Sequence, residues 1–313
     1  MTAPLSVPMF ERVALIGLGL IGSSLSHAMR RAGLVRSIVG HARTAQTRET
    51  GLRLGLIDKA YATAAEAAAG ADLIILCAPV GAYAALAGDM APALGRGAIV
   101  TDVGSVKGAV VRDVGPHIPA GVHFIPGHPI AGTEHSGPES GFAELFDGRW
   151  TILTPPVGAN ANAIEKLTGF WRACGSNVEM MDPDHHDLVL AITSHVPHLI
   201  AYNIVNTARH LERVTDTEVI KFSAGGFRDF TRIAASDPVM WRDVFLNNRE
   251  AVLEMLGRFT EDLTALQRAI RYGEGDTLHR MFIEARAVRR GIIEAGQDTP
   301  APDFGRRGTK ADT

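Results

Sequence analysis

Apolar and polar positions divide the chain into two regions with different periods. From Arg12 to about Met181, short and nearly continuous apolar runs alternate with segments whose apolar residues recur at helical spacing. Continuous apolar runs of strand length are typical of a parallel sheet covered by helices on both faces. The pattern predicts strands at 12–16, 37–40, 71–79, 97–102, 123–126, 150–155 and 177–181. It predicts helices between them at 23–32, 47–54, 80–94, 106–114 and 161–172.

The period changes at Asp182, a suitable helix cap that stands before Pro183. Beyond it the strand patterns stop, and apolar residues at helical spacing occupy 184–211, 238–271 and 274–295. We therefore predict an α/β domain over residues 10–182 and an all-α domain over residues 183–296. The remaining stretch, 297–313, is rich in proline, glycine and charge, which predicts a disordered tail.

A glycine-rich turn links the first predicted strand to the first predicted helix. It reads Gly17-x-Gly19-x-x-Gly22, with Leu20 and Ile21 before the last glycine. In dinucleotide-binding turns the first glycine permits the tight turn, the second lets the backbone approach a pyrophosphate, and the third lets the helix pack closely. The helix N-terminus then offers N–H groups to the anion. The alternative interpretation is a strand-to-helix turn without a ligand.

The end of the second predicted strand bears on the choice of dinucleotide. An acidic residue about 20 positions after the glycines usually holds the ribose 2′-hydroxyl. Here the stretch 40–44 contains no Asp or Glu, and Arg43 follows Ala42. A guanidinium can bind a 2′-phosphate with two hydrogen bonds, which favours NADP⁺ or dual use. The alternative is that Arg43 is a solvated loop residue and NAD⁺ is held by other contacts.

Composition narrows the class of protein further. The 313 residues are 46% hydrophobic and 21% charged, with a net charge of −3, which gives no indication of a nucleic-acid or membrane partner. We see no apolar run of the roughly 18–20 residues that a membrane helix needs, and no signal peptide. The two cysteines, Cys77 and Cys174, are isolated, which is typical of a reducing compartment and predicts a cytoplasmic protein.

Two segments that contain candidate catalytic residues follow predicted strands. In the first, 102–107, Ser105 and Lys107 stand at the carboxyl end of a strand, where ligands of open α/β sheets bind, so both can face a nicotinamide. The alternative is that Ser105 only caps the next helix. In the second, 127–134, His128 stands between Gly and Pro and is a plausible base near neutral pH, with Glu134 placed to orient it or a water. The alternative is a structural turn histidine.

A third segment contains clustered histidines. His185, His186 and Asp187 are followed by His195 and His198, which lie one helical turn apart on one face. Such a pair can bind a metal, but no Cys or carboxylate stands at matching spacing, so we expect no metal site. Facing a substrate and being buried as structural residues are the two other interpretations.

A fourth segment contains two glycines and two arginines. Arg228 and Arg232 follow Gly225 and Gly226, in what we expect to be a loop, and Trp241 lies beyond. Guanidinium groups pair with carboxylates in a fork geometry, so this segment is a candidate carboxylate receptor. The alternative is that one arginine forms a salt bridge with Asp229 or Asp237.

Taken together, these segments resemble the prephenate/arogenate (cyclohexadienyl) dehydrogenase family of tyrosine biosynthesis. The matching motifs occur in the family's order over about residues 10–295, and the chain is most similar to the bacterial cyclohexadienyl type. They are Gly17-Leu-Gly-Leu-Ile-Gly22, Gly104-Ser-Val-Lys107, Gly127-His-Pro-Ile-Ala-Gly-Thr-Glu134, Ser194-His-Val-Pro-His198 and Phe227-Arg-Asp-Phe-Thr-Arg232, with Trp241.

The resemblance implies a Rossmann-type α/β domain, a helical dimerisation domain, and NAD(P)-dependent oxidative decarboxylation of prephenate or arogenate. His128 matches the base that takes the proton of the substrate hydroxyl, Ser105 a serine hydrogen-bonded to that hydroxyl, and Arg232 an arginine that binds a substrate carboxylate. The matching pocket residues are Glu134, His195, His198 and Trp241. The family's NAD⁺-using members often carry Asp where this chain has Ala42, so the cofactor is expected to be NAD or NADP. A homodimer is implied.

Two other functions fit part of the pattern. A β-hydroxyacid dehydrogenase also joins a dinucleotide-binding domain to a helical domain, but it uses a lysine of the helical domain. Lys221 is the only lysine between Asp182 and Gln297, and it lies beside the glycine-rich segment instead of within a long predicted helix. A non-catalytic NAD(P) sensor would not need the clustered histidines and arginines.

Overall fold

The computed structural model describes residues 7–210 and 216–294. The chain divides into two compact units. The first contains residues up to Asn203 together with Ile233–Val252, and the second contains Ile204–Arg232 and the residues from Leu253 onward. The first unit thus includes helices that follow residue 182, and the division into domains 10–182 and 183–296 stays a prediction. The predicted tail, 297–313, lies outside the described residues.

The first unit contains a parallel sheet of six strands in the spatial order β3-β2-β1-β4-β5-β6. The order reverses between β1 and β4, as in doubly wound dinucleotide-binding domains, where ligands bind at the carboxyl ends of the strands beside this point. The strands are β1 (Phe10–Ile16), β2 (Val35–His41), β3 (Lys59–Tyr61), β4 (Leu73–Leu76), β5 (Ile99–Asp102) and β6 (His123–Phe124). The predicted α/β fold is confirmed.

Helices connect these strands and cover both faces of the sheet. Alternate residues of β1 show why the strand is apolar throughout: Val13 and Leu15 join one buried cluster, and Ala14 and Ile16 join the other. The helices of this region are α1 (Leu20–Ala32), α2 (Ala45–Arg53), α3 (Ala64–Ala68), α4 (Tyr83–Met90), α5 (Lys107–Val114) and α6 (Ala161–Ala173). Helix 80–94 was predicted as one piece, but α4 is flanked by short 3₁₀ turns at each end.

The last predicted strands do not extend the main sheet. They are β8 (Trp150–Leu153) and β9 (Asn177–Met180) of a second, three-stranded sheet. Its third strand, β7 (Gly127–Pro129), was not predicted and runs antiparallel to β8. The prediction of one parallel sheet is therefore wrong for this part of the chain. The sequence also gave no sign of β3 and α3, because three- and five-residue elements are too short to show a period.

The predicted boundary at Asp182 is a helix start. Helix α7 (Pro183–Leu190) begins there, and the Asp182 side chain accepts hydrogen bonds from the N–H groups of Asp184 and His185. A single π-helical turn, Ala191–His195, then leads into α8 (Val196–Arg209). Pro197, the second residue of α8, has no N–H to donate to the preceding turn. The missing hydrogen bond coincides with the π-helical turn, which is wider than an α-helical one.

The continuous helical stretch Pro183–Arg209 is long and apolar enough, by length and composition alone, to cross a membrane. The prediction that no stretch reaches this length is therefore wrong by this measure. Core helices of globular proteins pass the same test, and a single such helix is a weak indication. Within it, His186 and His195 are fully buried and Asp187 is 8% exposed, so one face of its first half packs against protein.

The remaining described elements are helices, which confirms the predicted all-α region. They are α9 (Asp216–Phe222), α10 (Gly225–Thr231), α11 (Pro238–Asn247), α12 (Arg249–Tyr272) and α13 (Gly275–Glu294). The loop predicted around Gly225 and Gly226 is wrong, because these residues open α10. Glycine is a poor residue inside a helix but is tolerated at the N-terminal end.

Candidate active site

The glycine turn has the geometry that a bound pyrophosphate requires. Gly17 has φ 115°, and a Cβ there would lie 2.6 Å from the carbonyl carbon of Cys77. A Cβ on Gly22 would lie 2.3 Å from the carbonyl oxygen of Gly17. At Gly19, in contrast, a Cβ would meet nothing within 4 Å among the described residues. The turn is therefore closed on the protein side and open where phosphates would approach, above the first residues of α1.

The start of α1 is suited to an anion. Gly19 precedes Leu20, the first helical residue, and among the described residues no side chain caps this end of the helix. The N–H groups of the first turn, including that of Ile21, point along the helix axis toward the open side. The dinucleotide interpretation of the turn therefore fits the structure.

Two arginines, Arg43 and Arg48, follow β2. Ala42 is buried, and Arg43 is exposed to solvent. Arg48, which the sequence reasoning did not single out, donates from Nη1 to the carbonyl oxygen of Ala42 at 2.6 Å and to that of Arg43 at 3.4 Å. Arg48 thus holds the backbone of Ala42 and Arg43 in place. No carboxylate occupies positions 40–44.

A buried ion pair follows β5. Lys107 Nζ lies 2.5 Å from Asp102 Oδ2, and both side chains have zero exposure. Burial lowers the pKa of Lys107 and raises that of Asp102, while the attraction within the pair opposes both shifts. The expectation that Lys107 faces a nicotinamide is therefore wrong.

The same pair holds the peptide that precedes His128. Lys107 Nζ donates to the carbonyl oxygen of Gly127 at 2.6 Å, and the N–H of Gly127 donates to Asp102 Oδ1 at 3.0 Å. Asp102 Oδ2 also accepts from the N–H of Gly104, at 2.7 Å. The segment that contains Ser105 and the strand that contains His128 are thus tied to one charged centre.

Ser105 does not cap α5. The helix begins at Lys107, and its cap position, Val106, makes no side-chain hydrogen bond. Instead, the N–H groups of Lys107 and Gly108 donate to Oδ1 and Oδ2 of Asp187, at 2.7 and 2.8 Å. The capping interpretation of Ser105 is wrong, and a carboxylate from α7 performs that task.

His128 lies in β7 with 8% of its surface exposed. Its Nδ1 is 2.9 Å from Nε2 of His186, and Nδ1 of His186 is 2.8 Å from Oδ1 of Asp187. Burial, followed by the charges of neighbouring His186, Lys107 and His195, holds the pKa of His128 well below its usual value. His128 is therefore neutral at pH 7, as a general base has to be.

Two further predicted residues meet on α8 and α11. The ring of His198 stacks on that of Trp241, with centroids 3.6 Å apart and planes inclined by 23°. His198 Nδ1 is 2.8 Å from the carbonyl oxygen of Ser194. A carbonyl only accepts, so Nδ1 carries the proton and Nε2 is the acceptor of the neutral ring.

His195 is fully buried, and its ring nitrogen Nδ1 contacts Asn248. Asn248 Nδ2 lies 3.0 Å from His195 Nδ1 and donates to the carbonyl oxygen of Asp187 at 2.8 Å. Burial lowers the pKa of His195 to about 4, against smaller opposing effects of Asp187 and of the Ser105 backbone. His195 therefore packs as a neutral ring beside the segment that contains Ser105.

The remaining predicted residues are Glu134, Arg228 and Arg232. Glu134 is half-buried in the loop after β7. Arg232 is the last residue of its segment in the second compact unit and is exposed. Arg228 pairs with Asp229 at 3.0 Å, so the salt-bridge alternative is confirmed for one of the two arginines. Among the described residues, no group of three or more His, Cys, Asp and Glu side chains is arranged to hold a metal ion.

The sequence pattern placed His186 and Asp187 in the clustered-histidine segment without a role of their own, and it did not single out Asn248. The signal for the first two was the run His185-His186-Asp187, whose burial could not be read from its neighbours. Asn248 gave no signal, because it contacts His195 across 53 positions of the chain.

Comparison with known proteins gives one consistent family. Residues 25–180 match the family described as prephenate dehydrogenase, nucleotide-binding domain, and residues 182–284 match prephenate dehydrogenase, dimerization domain. The cyclohexadienyl dehydrogenase of Zymomonas mobilis is 40% identical over 280 residues, which cover 90% of this chain and 95% of that protein. The prephenate dehydrogenase of Bacillus subtilis is 31% identical, with 91% and 76% covered.

Solved structures agree with the sequence comparison. The crystal structure of prephenate dehydrogenase from Aquifex aeolicus, in complex with hydroxyphenyl propionate and NAD⁺, has a TM-score of 0.84 and 34% identity, and covers 92% of this chain and 100% of that one. Synechocystis arogenate dehydrogenase has a TM-score of 0.74 and 27% identity, with 90% and 99% covered.

Proposed function

The chain belongs to the prephenate dehydrogenase family, and from that premise we propose that it oxidatively decarboxylates prephenate, arogenate or both in tyrosine biosynthesis. It is an NAD(P)-dependent oxidoreductase. The observation that carries the proposal is His128, a buried and neutral imidazole held by the ion pair that also anchors the segment of Ser105.

The chemistry divides between cofactor and protein. A nicotinamide dinucleotide whose pyrophosphate is held at the glycine turn would supply the hydride acceptor. His128 takes the proton of the hydroxyl on the cyclohexadiene ring, and Ser105 donates or accepts a hydrogen bond at the same oxygen. Hydride departs from the carbon bearing that hydroxyl, and the ring carboxylate opposite leaves as CO₂. Because the ring becomes aromatic, the reaction is strongly downhill, and the main tasks of the protein are position and one base.

We propose that the other predicted residues bind the substrate. Arg232 pairs with a substrate carboxylate, since guanidinium and carboxylate match in geometry and charge. His195, His198 and Trp241 line the pocket. Glu134 completes this set from the loop after β7.

We propose that Arg43 lets the enzyme use NADP⁺ in addition to NAD⁺. Support comes from the buried Ala42 in place of a carboxylate and from the hydrogen bonds of Arg48 to this backbone. With Arg43→Ala, KM for NADP⁺ should rise about tenfold while KM for NAD⁺ changes little, because only the 2′-phosphate loses a charged contact. Arg36→Ala, at a guanidinium paired with Glu11, is the matched control.

We also propose a cytoplasmic homodimer assembled through the second compact unit. Helices α12 and α13 expose large apolar side chains that a second copy would cover, among them Leu253, Ile270, Phe282 and Val288. Sedimentation of the purified protein tests this: a species of one chain mass at micromolar concentration contradicts it.

Initial-rate kinetics test the reaction directly. The purified protein is assayed with prephenate and arogenate, each with NAD⁺ and with NADP⁺, by the absorbance of the reduced nicotinamide. Turnover with either substrate is expected, and the four rates measure substrate and cofactor preference together. If the cofactor binds but no combination turns over, the proposal is overturned in favour of another hydroxyacid or of a non-catalytic sensor.

A further inference from the structure

We propose that His186, backed by Asp187, is the second member of a two-histidine relay that fixes the tautomer of His128 and receives the proton from it. The inference rests on the proposed function for its substrate, but its first part concerns the free protein alone. His128, His186 and Asp187 all lie in the first compact unit, on β7 and α7.

The order of hydrogen bonds determines where the protons are. An ionised carboxylate only accepts, so the 2.8 Å contact with Asp187 requires a proton on Nδ1 of His186. A neutral His186 then has a lone pair on Nε2. The 2.9 Å contact between that atom and Nδ1 of His128 consequently requires the proton on Nδ1 of His128. This leaves the Nε2 lone pair of His128 for the substrate hydroxyl.

Asp187 can keep the Nδ1 protons of His186 and His128 in these positions because its own carboxylate is fixed. Its two oxygens accept from the N–H groups of Lys107 and Gly108 at the start of α5, and its backbone carbonyl accepts from Asn248. These hydrogen bonds hold the carboxylate in one orientation, with Oδ1 toward Nδ1 of His186. It therefore acts as a constant acceptor for His186.

The proton transfer proceeds in two balanced moves. The O–H bond of the substrate breaks as a bond from the proton to Nε2 of His128 forms. The Nδ1–H bond of His128 breaks as a bond to Nε2 of His186 forms. His128 returns to neutrality with its proton on Nε2, and His186 becomes an imidazolium beside the Asp187 carboxylate. No oxidant beyond the nicotinamide is needed.

The surrounding charges favour the imidazolium on His186. His128 faces His186, Lys107 and His195, all of which lower its pKa together with burial. His186 is also buried and faces Lys107, but Asp187 and Asp102 raise its pKa against these effects. The positive charge therefore has a lower free energy on His186, beside the carboxylate of Asp187, than on His128.

The first experiment needs no substrate. ¹⁵N chemical shifts of the histidine rings are measured in the full-length protein at pH 7, with His128 and His186 assigned by the loss of signals in His128→Gln and His186→Gln. We expect both rings to be protonated on Nδ1 and unprotonated on Nε2. Protonation of His128 on Nε2 overturns the inference, whatever the protein's reaction is.

The second experiment is kinetic and uses His186→Gln. The amide of Gln can accept from Nδ1 of His128 and donate to Asp187, but it cannot take up a proton. We expect kcat to fall about 10- to 100-fold, less than the 10²–10⁴-fold attributed to a general base itself, with KM changed less than threefold. The acid limb of kcat/KM against pH should move to lower pH, because the proton must then stay on His128.

His185→Gln is the matched control, since His185 neighbours His186 on α7 but is exposed. It should keep wild-type kcat and pH profile. A His186→Gln enzyme with kcat within threefold of wild type, or with an unmoved acid limb, overturns the relay. Absence of turnover in the wild-type protein would instead overturn the proposed function, and the ¹⁵N result would still decide the tautomer.

Discussion

Lys107 Nζ lies 2.5 Å from Oδ2 of Asp102, and neither side chain is exposed to solvent. Their mutual attraction offsets two desolvation costs, so removal of one partner leaves a buried charge uncompensated. Because both also hold the peptide of Gly127, the pair connects stability with the position of His128.

Breaking this pair should destabilise the protein strongly. Lys107→Met is expected to lower the free energy of unfolding by about 3–5 kcal/mol, measured by urea denaturation. Arg30→Met is the control, because its partner Asp58 is 44% exposed and such surface pairs contribute about 0–1 kcal/mol. Equal losses in the two variants would show that burial of the Lys107 pair does not matter.

His128→Ala should abolish most catalysis and spare the cofactor. The expected loss in kcat is on the order of 10²–10⁴-fold, the usual contribution of a positioned base. The glycine turn is separate from β7, so the dissociation constant of the nicotinamide dinucleotide, measured by fluorescence titration, should stay within twofold of wild type. A near-normal kcat would remove His128 from the role of base.

Arg232→Ala should act on substrate binding. Loss of a charged hydrogen bond of about 1.5–3 kcal/mol corresponds to roughly a tenfold to hundredfold rise in KM for a dicarboxylate substrate. Steady-state kinetics at saturating cofactor measure it. Arg228→Ala is the comparison, since Arg228 is paired with Asp229 and its loss should leave KM nearly unchanged. If KM is the same in Arg232→Ala and wild type, Arg232 is not the anchor.

The buried histidines should make the protein sensitive to acid. The pKa of His195 is about 4 in the folded protein and near 6.5 when unfolded, so between these values only the unfolded chain takes up the proton. The contribution of His195 to stability is complete above about pH 6.5 and is lost as the pH falls toward 4. Over this range it amounts to about 3 kcal/mol.

Urea denaturation at pH 7 and pH 4.5 measures this effect. The drop in stability of wild type should exceed that of His195→Gln by about 2–3 kcal/mol. Carboxylates titrate in both proteins and cancel in the comparison. His185→Gln, altered at an exposed ring, should show the wild-type drop. An equal drop in wild type and His195→Gln would mean that protonation of His195 does not lower the free energy of unfolding.

The sequence was most informative where structure depends on local pattern. The strand, turn and helix around Gly17 follow from apolar periodicity and from glycines that lack a Cβ. Asp182 was recognised as a cap because capping involves only the next few residues, and the structure confirms its hydrogen bonds. The apolar character of β1 predicted burial on both faces, and its residues do alternate between two cores.

The sequence was least informative where partners come from distant positions. His128 and His186 are 58 positions apart, and Lys107 and Asp187 are 80 apart, so no period connects them. A lysine at a strand end looks solvent-facing until a buried carboxylate beside it is known. Likewise, β8 has the composition of a strand, but pairing with β7 in a separate sheet is decided by tertiary packing.

The π-helical turn Ala191–His195 sets the rotation about the helix axis between the side chains of α7 and those of α8. One residue of an α-helix corresponds to about 100° of rotation, and a π turn accommodates one residue more than an α turn in that space. His186 on α7 and His198 on α8 therefore face directions that a regular helix could not combine. Deletion of one residue within the turn would restore a regular helix and rotate His198 by about 100° relative to His186, which would break its stack on Trp241 of α11.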